Sequence, residues 1–210
     1  MSTRSHLSHV TRLAAAAAVV LSTASCGGEM LRTGRAPVFL VVQNMSGAPQ
    51  GGAASAFLLS DVEAIVEQQI NGQTVRVPTT FNDNATARIA VVRKNQSIPA
   101  SPLNSVTLTR YRVSFRRTDG RATPGIDVPY GFDGGLGITI PTDGAADVSF
   151  EIVRHQAKLE PPLRQLRNTG SLGFISTIAE ITFWGHDQNG NEVSVTGRMD
   201  VQFGDFADGN

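Results

Sequence analysis

The sequence contains little cysteine, little lysine and no long apolar run. Its 210 residues include a single cysteine, Cys26, which excludes an intramolecular disulfide. Only Lys94 and Lys158 accompany the arginines, and basic and acidic residues balance to a net charge of zero. That balance gives no indication of nucleic acid or an anionic membrane surface as a partner. The length and the 40% hydrophobic content predict one globular domain, with or without tails.

The N-terminal segment has the composition of a targeting signal. Leu13–Leu21 is an apolar run of nine residues, whereas a helix that spans a bilayer needs about 20. Before it lie Arg4 and Arg12 without any acid, and after it come the small residues 22–25. This order is typical of a signal peptide and predicts that residues 1–25 are removed. The remaining chain would then carry a net charge of −2, because 16 basic and 18 acidic residues are left.

The end of this segment, Leu21-Ser-Thr-Ala-Ser-Cys26, resembles the lipobox of bacterial lipoproteins. The resemblance implies a diacylglycerol on the Cys26 sulfur, cleavage just before that residue, and acylation of the new amine, with palmitate as the expected chain. The family prefers leucine three residues before the cysteine, where this chain has Thr23. The alternative is ordinary cleavage after Ala24 or Ser25, which would release a soluble protein with an unpaired thiol.

Lipidation of Cys26 would make the membrane the first partner of the protein. One acyl chain holds a protein only marginally, but two or three chains on one residue make detachment negligible. In the lipoprotein family an aspartate directly after the cysteine retains many proteins in the inner membrane, and this chain has Gly27-Gly28 instead. The resemblance therefore implies a lipid-anchored protein of the bacterial cell envelope, at the outer membrane. Residues 26–36 would be the lipidated cysteine and a short tether, and residues 37–210 the folded domain.

From Pro37 onward, short apolar runs alternate with turn residues, which is typical of β-structure. Residues 56–66 are predicted as a strand, with a short helix over Ser60–Gln69 as the competing interpretation. Residues 68–83 are predicted as a hairpin tip or a long loop. The predicted strands are Val38–Gln43, Ala56–Val66, Ala85–Lys94, Val106–Arg117, Leu136–Ile140, Val148–Ile152, Thr177–Trp184 and Glu192–Phe203.

Two local features of these strands can be predicted in detail. The apolar positions of Val106–Arg117 change phase between Leu108 and Tyr111, which predicts a β-bulge near Thr109-Arg110. In the last hairpin, Asn189-Gly190 predicts a type I′ turn, because both residues tolerate positive φ angles.

Seven or eight short strands with little helix predict an all-β fold, a single antiparallel β-sandwich after the signal peptide. The pattern resembles the immunoglobulin-like and fibronectin-III-like sandwiches of bacterial envelope proteins. Three stretches, Thr109–Arg117, Ser149–His155 and Ala179–His186, are also similar to an uncharacterised group of bacterial lipoproteins. That similarity implies no activity.

No catalytic or cofactor-binding pattern emerges from the sequence. A Gly-x-Ser-x-Gly nucleophile elbow is missing, and His155 and His186 lie far apart in the chain. One short group of residues with side-chain oxygens has a spacing that suits Ca²⁺. A hairpin turn also explains this group, and we interpret it as a turn. That group is Asp187, Asn189, Asn191 and Glu192. We therefore predict no enzyme activity, no metal and no cofactor.

The candidate binding residues are Trp184, Arg110 and Arg112. The arginines belong to a basic cluster that includes Arg116, Arg117 and Arg121. We expect a solvated face with cross-strand pairs to acids, with an anionic ligand site as the alternative. Trp184 falls on the polar side of its strand, where it either marks a contact patch or packs under a loop.

The sequence leaves two classes of function. The favoured one is a non-enzymatic envelope lipoprotein whose sandwich has a structural role or binds a protein or glycan. The alternative is a periplasmic solute-binding or enzymatic β domain that uses the loops 68–83 and 121–133. A deep pocket with convergent polar groups would favour the alternative.

Overall fold

The computed structural model describes residues 34–49, 52–169 and 173–206, so that Cys26, the signal peptide and most of the tether lie outside the described part. Strands dominate, and the only α-helix in these ranges is the single turn α1, His155–Lys158. Within the same ranges, no helix has both the length and the hydrophobicity to cross a membrane. The strands are β1 Val38–Ala48, β2 Phe57–Asp61, β3 Ala64–Ile70, β4 Gln73–Thr79, β5 Asp83–Arg93, β6 Val106–Arg117, β7 Phe132–Ile140, β8 Ala145–Val153, β9 Phe174–Asp187 and β10 Glu192–Gly204.

The ten strands form three sheets. One sheet has the order β1-β5-β8, a second has the order β2-β10-β9-β6-β7, and the third is the β3–β4 hairpin. Neighbouring strands are antiparallel except at one edge, where β2 runs parallel to β10. The expectation of a purely antiparallel fold is therefore wrong at this edge, and the described residues hold more strands than the seven or eight expected. Residues 56–66 contain β2 and the first part of β3 rather than one strand, and in residues 68–83 the structure has the hairpin alternative and not the long loop. The helix over Ser60–Gln69 is wrong.

The two larger sheets share one hydrophobic core. Alternate residues of β5, β8, β9 and β10 are buried, as the apolar alternation of these segments predicts. Across the core, Phe150 of β8 lies with its ring centroid 5.3 Å from that of Tyr111 and 5.2 Å from that of Phe183. Rings at these separations add edge-to-face attraction to the transfer free energy of about 1.5–3 kcal/mol for each buried aromatic side chain.

The β-bulge in β6 is confirmed. The pairing of β6 with both β7 and β9 shifts register between Leu108 and Arg110. Thr109 and Arg110 are consecutive exposed residues, after which Tyr111 is again buried. The extra residue thus turns Arg110 outward and keeps the aromatic ring in the core, which is the typical effect of a bulge on side-chain direction.

The expected type I′ turn at Asn189-Gly190 is wrong. Gly190 has a φ of 80°, but Asn189 is not among the residues with positive φ. Hydrogen bonds from Gly190 N–H to Asp187 O (3.0 Å) and from Asp187 N–H to Asn191 O (3.0 Å) close a three-residue loop. Such loops combine a type I turn with a left-handed residue, here the glycine. The two positive φ angles of a type I′ turn occur instead at Asn71 (53°) and Gly72 (79°), between β3 and β4.

Candidate functional site

The three candidate binding residues lie together on the outer face of the five-stranded sheet. Arg110 pairs in register with Trp184 of β9, and Arg112 pairs with Thr182 two positions further along. Because side chains alternate across a strand, Arg110, Arg112 and Trp184 project from the same face. We call this surface, with Asp133 of β7, the arginine face.

Arg110 covers the indole ring of Trp184. Its guanidinium carbon is 4.1 Å from the ring centroid, a cation–π contact that contributes about 0.5–1 kcal/mol at an exposed site. Trp184 is half-buried, and the Arg110 guanidinium covers one face of its ring. Within the described residues Arg110 forms no ion pair, so its N–H groups remain available to an acceptor from outside the chain.

Arg112 is held differently. Its Nη1 lies 2.8 Å from Asp133 Oδ2, and the two side chains are 54% and 51% exposed. The expected cross-strand pairing to an acid is therefore found at Arg112, while Arg110 uses the aromatic ring instead. An exposed pair of this kind contributes at most about 1 kcal/mol, because water and salt screen it.

The other arginines of the basic cluster also differ in whether they pair with an acid. Asp119 binds both Arg117 (3.3 Å) and Arg121 (2.8 Å), and the hydrogen bonds from Arg121 lower the pKa of this carboxyl to about 2. Arg116 instead lines a depression of ≈ 280 Å³ on the outer face, next to the Arg198–Glu180 ion pair. The cluster is thus partly neutralised at the Asp119 turn and remains positive beside the arginine face.

The possible calcium ligands form a turn. Asp187 is fully buried, and its Oδ1 accepts hydrogen bonds from the backbone N–H groups of Asn189 and Asn191, each at 2.9 Å. The side-chain amide of Asn191 donates to the other oxygen of this carboxylate at 2.8 Å. Within the described ranges, no three His, Cys, Asp or Glu side chains are arranged to hold a metal ion. The carboxylate therefore organises the loop between β9 and β10.

The two loops of the alternative function have different forms in the structure. Most of residues 68–83 belongs to the β3–β4 hairpin, whose tip residues are exposed. Within residues 121–133, a hydrogen bond from Gly125 N–H to Val128 O (2.8 Å) closes a turn. Neither segment lines the depressions found beside Arg116 or beside Pro102 and Pro141.

In contrast to the exposed arginine face, a second group of charged side chains is buried, and the sequence did not reveal it. We call this group the buried charged cluster. Lys158 Nζ is 2.8 Å from Asp83 Oδ2, and both side chains are 0% exposed. Ser60 donates its hydroxyl proton to the same oxygen at 2.6 Å. The lysine comes from α1, the aspartate from the first residue of β5 and the serine from β2. Three separate elements therefore meet around one carboxylate.

Two more buried acids, Asp61 and Asp205, extend this cluster. Asp61 Oδ1 accepts hydrogen bonds from the N–H groups of Phe206 (3.2 Å) and Glu63 (3.4 Å), whereas its Oδ2 has no hydrogen-bond partner among the described residues. Burial raises the pKa of Asp61 against the effect of these two bonds. The charge of Asp205 raises it further, and that of Lys158 lowers it. Asp61 therefore holds a proton more readily than an exposed aspartate does.

The sequence carried only a faint signal for this cluster. Lys158 is one of two lysines among eighteen basic residues and stands between the apolar Ala157 and Leu159. Ser60 and Asp61 lie in a segment for which strand and helix compete, and Asp83 is the last residue of the segment predicted as a hairpin tip or a long loop. No spacing rule joins residues from β2, β5 and α1, because their proximity exists only in the folded chain.

Comparisons of the chain with protein-family models, with curated proteins and with solved structures found no match. The case for a function therefore rests on this chain's own residues. They offer two sites of opposite character, the open arginine face and the buried charged cluster.

Proposed function

We propose that this protein is a lipoprotein of the bacterial cell envelope, anchored through lipid on Cys26 and directed to the outer membrane. Its β domain, an immunoglobulin-like sandwich in this proposal, has a structural or protein- or glycan-binding role without catalysis. The observation that carries the proposal is the order of the N-terminal residues: a basic segment, the apolar run Leu13–Leu21, four small residues and the sole cysteine. A bilayer-spanning helix and a disulfide are both excluded as explanations for this segment.

The distance between Cys26 and the sheet supports a role at the membrane surface. Residues 27–37 separate the cysteine from the first residue of β1, Val38. Fully extended, eleven residues reach no further than about 40 Å. A protein held by acyl chains on Cys26 therefore keeps its domain next to the bilayer, within reach of other envelope components.

The packing of the two larger sheets supports the sandwich. Tyr111 and Phe183 on the inner face of one sheet meet Phe150 on the inner face of the other, which is how two stacked sheets form a common core. In this proposal, the β3–β4 hairpin and the parallel β2–β10 edge are additions to an immunoglobulin-like arrangement.

The arginine face supports a binding role. A guanidinium that rests on an aromatic ring loses less side-chain freedom on binding, because the ring already orders it. Arg110 therefore offers its donors, in an ordered position beside Trp184, to a carboxylate, phosphate or sulfate group. Such groups are carried by both proteins and envelope glycans.

Membrane fractionation with mass spectrometry tests the anchor. We expect the wild-type chain in the membrane fraction, with the mass of the acylated form, and the Cys26→Ala variant in the soluble fraction. Thr23→Leu, which restores the residue that lipoproteins prefer, should leave acylation intact and serves as the matched control. A wild-type protein that is soluble and unacylated would overturn the proposal.

A further inference from the structure

The amine of Lys158 and the carboxyl of Asp83 are in contact where water is excluded. The distance from Nζ to Oδ2 is 2.8 Å, and neither side chain has any exposed surface. The contact does not have the geometry of a hydrogen bond, so that Nζ has no hydrogen-bond partner among the described residues. Lysine is almost never buried to this extent unless it is paired.

This contact differs from every other ion pair within the described ranges. The others are formed by arginine and include at least one partly exposed side chain. An arginine stays protonated in proteins, whereas a lysine that gives up its proton becomes a nucleophilic amine. The second lysine, Lys94, is exposed and donates to the carbonyl of Gly34 at 3.3 Å. Of the two lysines, only Lys158 lies against a buried carboxyl among the residues that the structure describes.

We propose that Lys158 and Asp83 are a self-modification site, at which the chain forms an intramolecular amide between Nζ and the Asp83 side-chain carbon. Proton transfer within the pair gives a neutral amine and a carboxylic acid. The nitrogen lone pair then attacks Cγ, the C–N bond forms and the C–OH bond breaks. The departing hydroxyl takes a proton that nitrogen loses and leaves as water. No oxidant, reductant or co-reactant takes part.

The neighbours of the pair suit this step. The Ser60 hydroxyl donates to Asp83 Oδ2 at 2.6 Å, which orients the carboxyl and draws electron density from Cγ. Asp61 follows Ser60 in β2 and lies close enough to Lys158 for their charges to interact. Because burial favours its protonated form, Asp61 is suited to relay this proton, giving one to the leaving hydroxyl and taking up the one that nitrogen loses.

The fold also provides what amide formation requires in general. Two groups held in contact react as parts of one molecule, so that the entropy cost of their encounter is met by folding. The product replaces two buried charges by a neutral amide, which is easier to accommodate in an interior. The link would close a loop of about 75 residues in a chain that has no disulfide to do so.

Peptide mapping of the purified full-length protein tests the proposal. After denaturation and trypsin digestion, we expect residues 77–88 joined to residues 155–164, with no cleavage after Lys158. The joined species should be about 18 Da lighter than its two parts together, the mass of the water lost. Fragmentation should place the link between Asp83 and Lys158. Recovery of the two peptides only as separate molecules, with Lys158 accessible to trypsin, would show an ion pair alone and overturn the proposal.

Matched lysine variants assign the link to one side chain. Lys158→Arg should abolish the joined peptide, whereas Lys94→Arg should leave it unchanged, since Lys94 has no buried carboxyl beside it. Ser60→Ala should lower the fraction of joined peptide because the carboxyl loses its oriented donor. A joined species that persists in Lys158→Arg would overturn the assignment. The wild-type map decides the question even if Lys158→Arg does not fold.

Discussion

The arginine face and the buried charged cluster contain the same kinds of groups in opposite surroundings. Arg112 and Asp133 meet at 2.8 Å with about half of each side chain in water, and Lys158 and Asp83 meet at 2.8 Å with none. Although the two distances are equal, water and salt screen the exposed pair and can replace its contact, whereas the buried pair is isolated from water and salt. Burial therefore decides which pair the fold depends on and which pair a binding partner could displace.

The largest expected effect comes from removing one cation from each pair. Lys158→Met preserves length and removes the amine that meets Asp83 either as an ion or in the amide, so that the carboxyl is buried alone; the free energy of unfolding should fall by about 3–5 kcal/mol. Arg112→Met, the matched change on the arginine face, should cost less than about 1 kcal/mol. Urea denaturation of both variants measures the difference. Equal losses would mean that burial is not the deciding factor.

A second prediction concerns the backbone that places the arginine face. A Cβ on Gly185 would lie 2.2 Å from Thr107 O, where β9 passes close to β6 beside the bulge. Gly185→Ala should therefore destabilise the protein by about 1–3 kcal/mol and shift Arg110 relative to Trp184. Gly135→Ala, on β7 opposite Arg110, has open space for its Cβ and should change stability by less than about 0.5 kcal/mol. Thermal unfolding of the two variants, with Trp184 emission, checks this contrast.

The buried charged cluster and the exposed Asp119 turn should also respond to pH with opposite signs. Burial raises the pKa of Asp61 above its usual 3.8, so its contribution to stability is greatest below pH 3.8 and is lost as pH rises through the raised value. Hydrogen bonds from Arg121 lower the pKa of exposed Asp119 to about 2, so its contribution is present above pH 3.8 and lost as pH falls through 2.

Asparagine substitutions separate these contributions. Relative to the wild type, Asp61→Asn should gain stability as pH increases from 3 to 7, because the neutral amide removes the buried charge. Asp119→Asn should be less stable than the wild type at neutral pH and approach it near pH 2. Denaturation midpoints at several pH values provide the measurement, and parallel profiles for the two variants would contradict the contrast.

The smallest expected effect is a local one on the arginine face. Trp184 is the only tryptophan of the chain, so the tryptophan fluorescence reports on this ring and its contact with Arg110. Arg110→Ala should expose the indole, with a red-shifted emission and stronger acrylamide quenching, at a cost of about 0.5–1 kcal/mol. Arg112→Ala, which contacts Asp133 and not the ring, should leave the emission unchanged. Identical spectra for Arg110→Ala and the wild type would show that the stacked contact does not protect the ring.

Local pattern predicted the regular parts of the sheets well. The phase change between Leu108 and Tyr111 located the bulge to within a residue, since a period of two leaves no other way to keep both side chains inside. The alternation in β10 predicted which of its faces is buried, from Val193 to Phe203. Strand β4 is not predicted because its side chains are mostly exposed and Pro78 argues against a strand. The proline is tolerated here because β4 belongs to a two-stranded sheet.

The sequence by itself determined the β-rich class, the inward and outward faces of the long strands, and the signal that predicts lipidation of Cys26. These follow from contacts between residues a few positions apart, where periodicity and turn chemistry are direct physical constraints. Only the tertiary structure decided that Arg110 rests on Trp184, that β2 joins β10 in parallel, and that Lys158 meets Asp83. Those contacts join distant segments through packing of the whole core, and burial, which sets the energy of each charge, exists only once that core has formed.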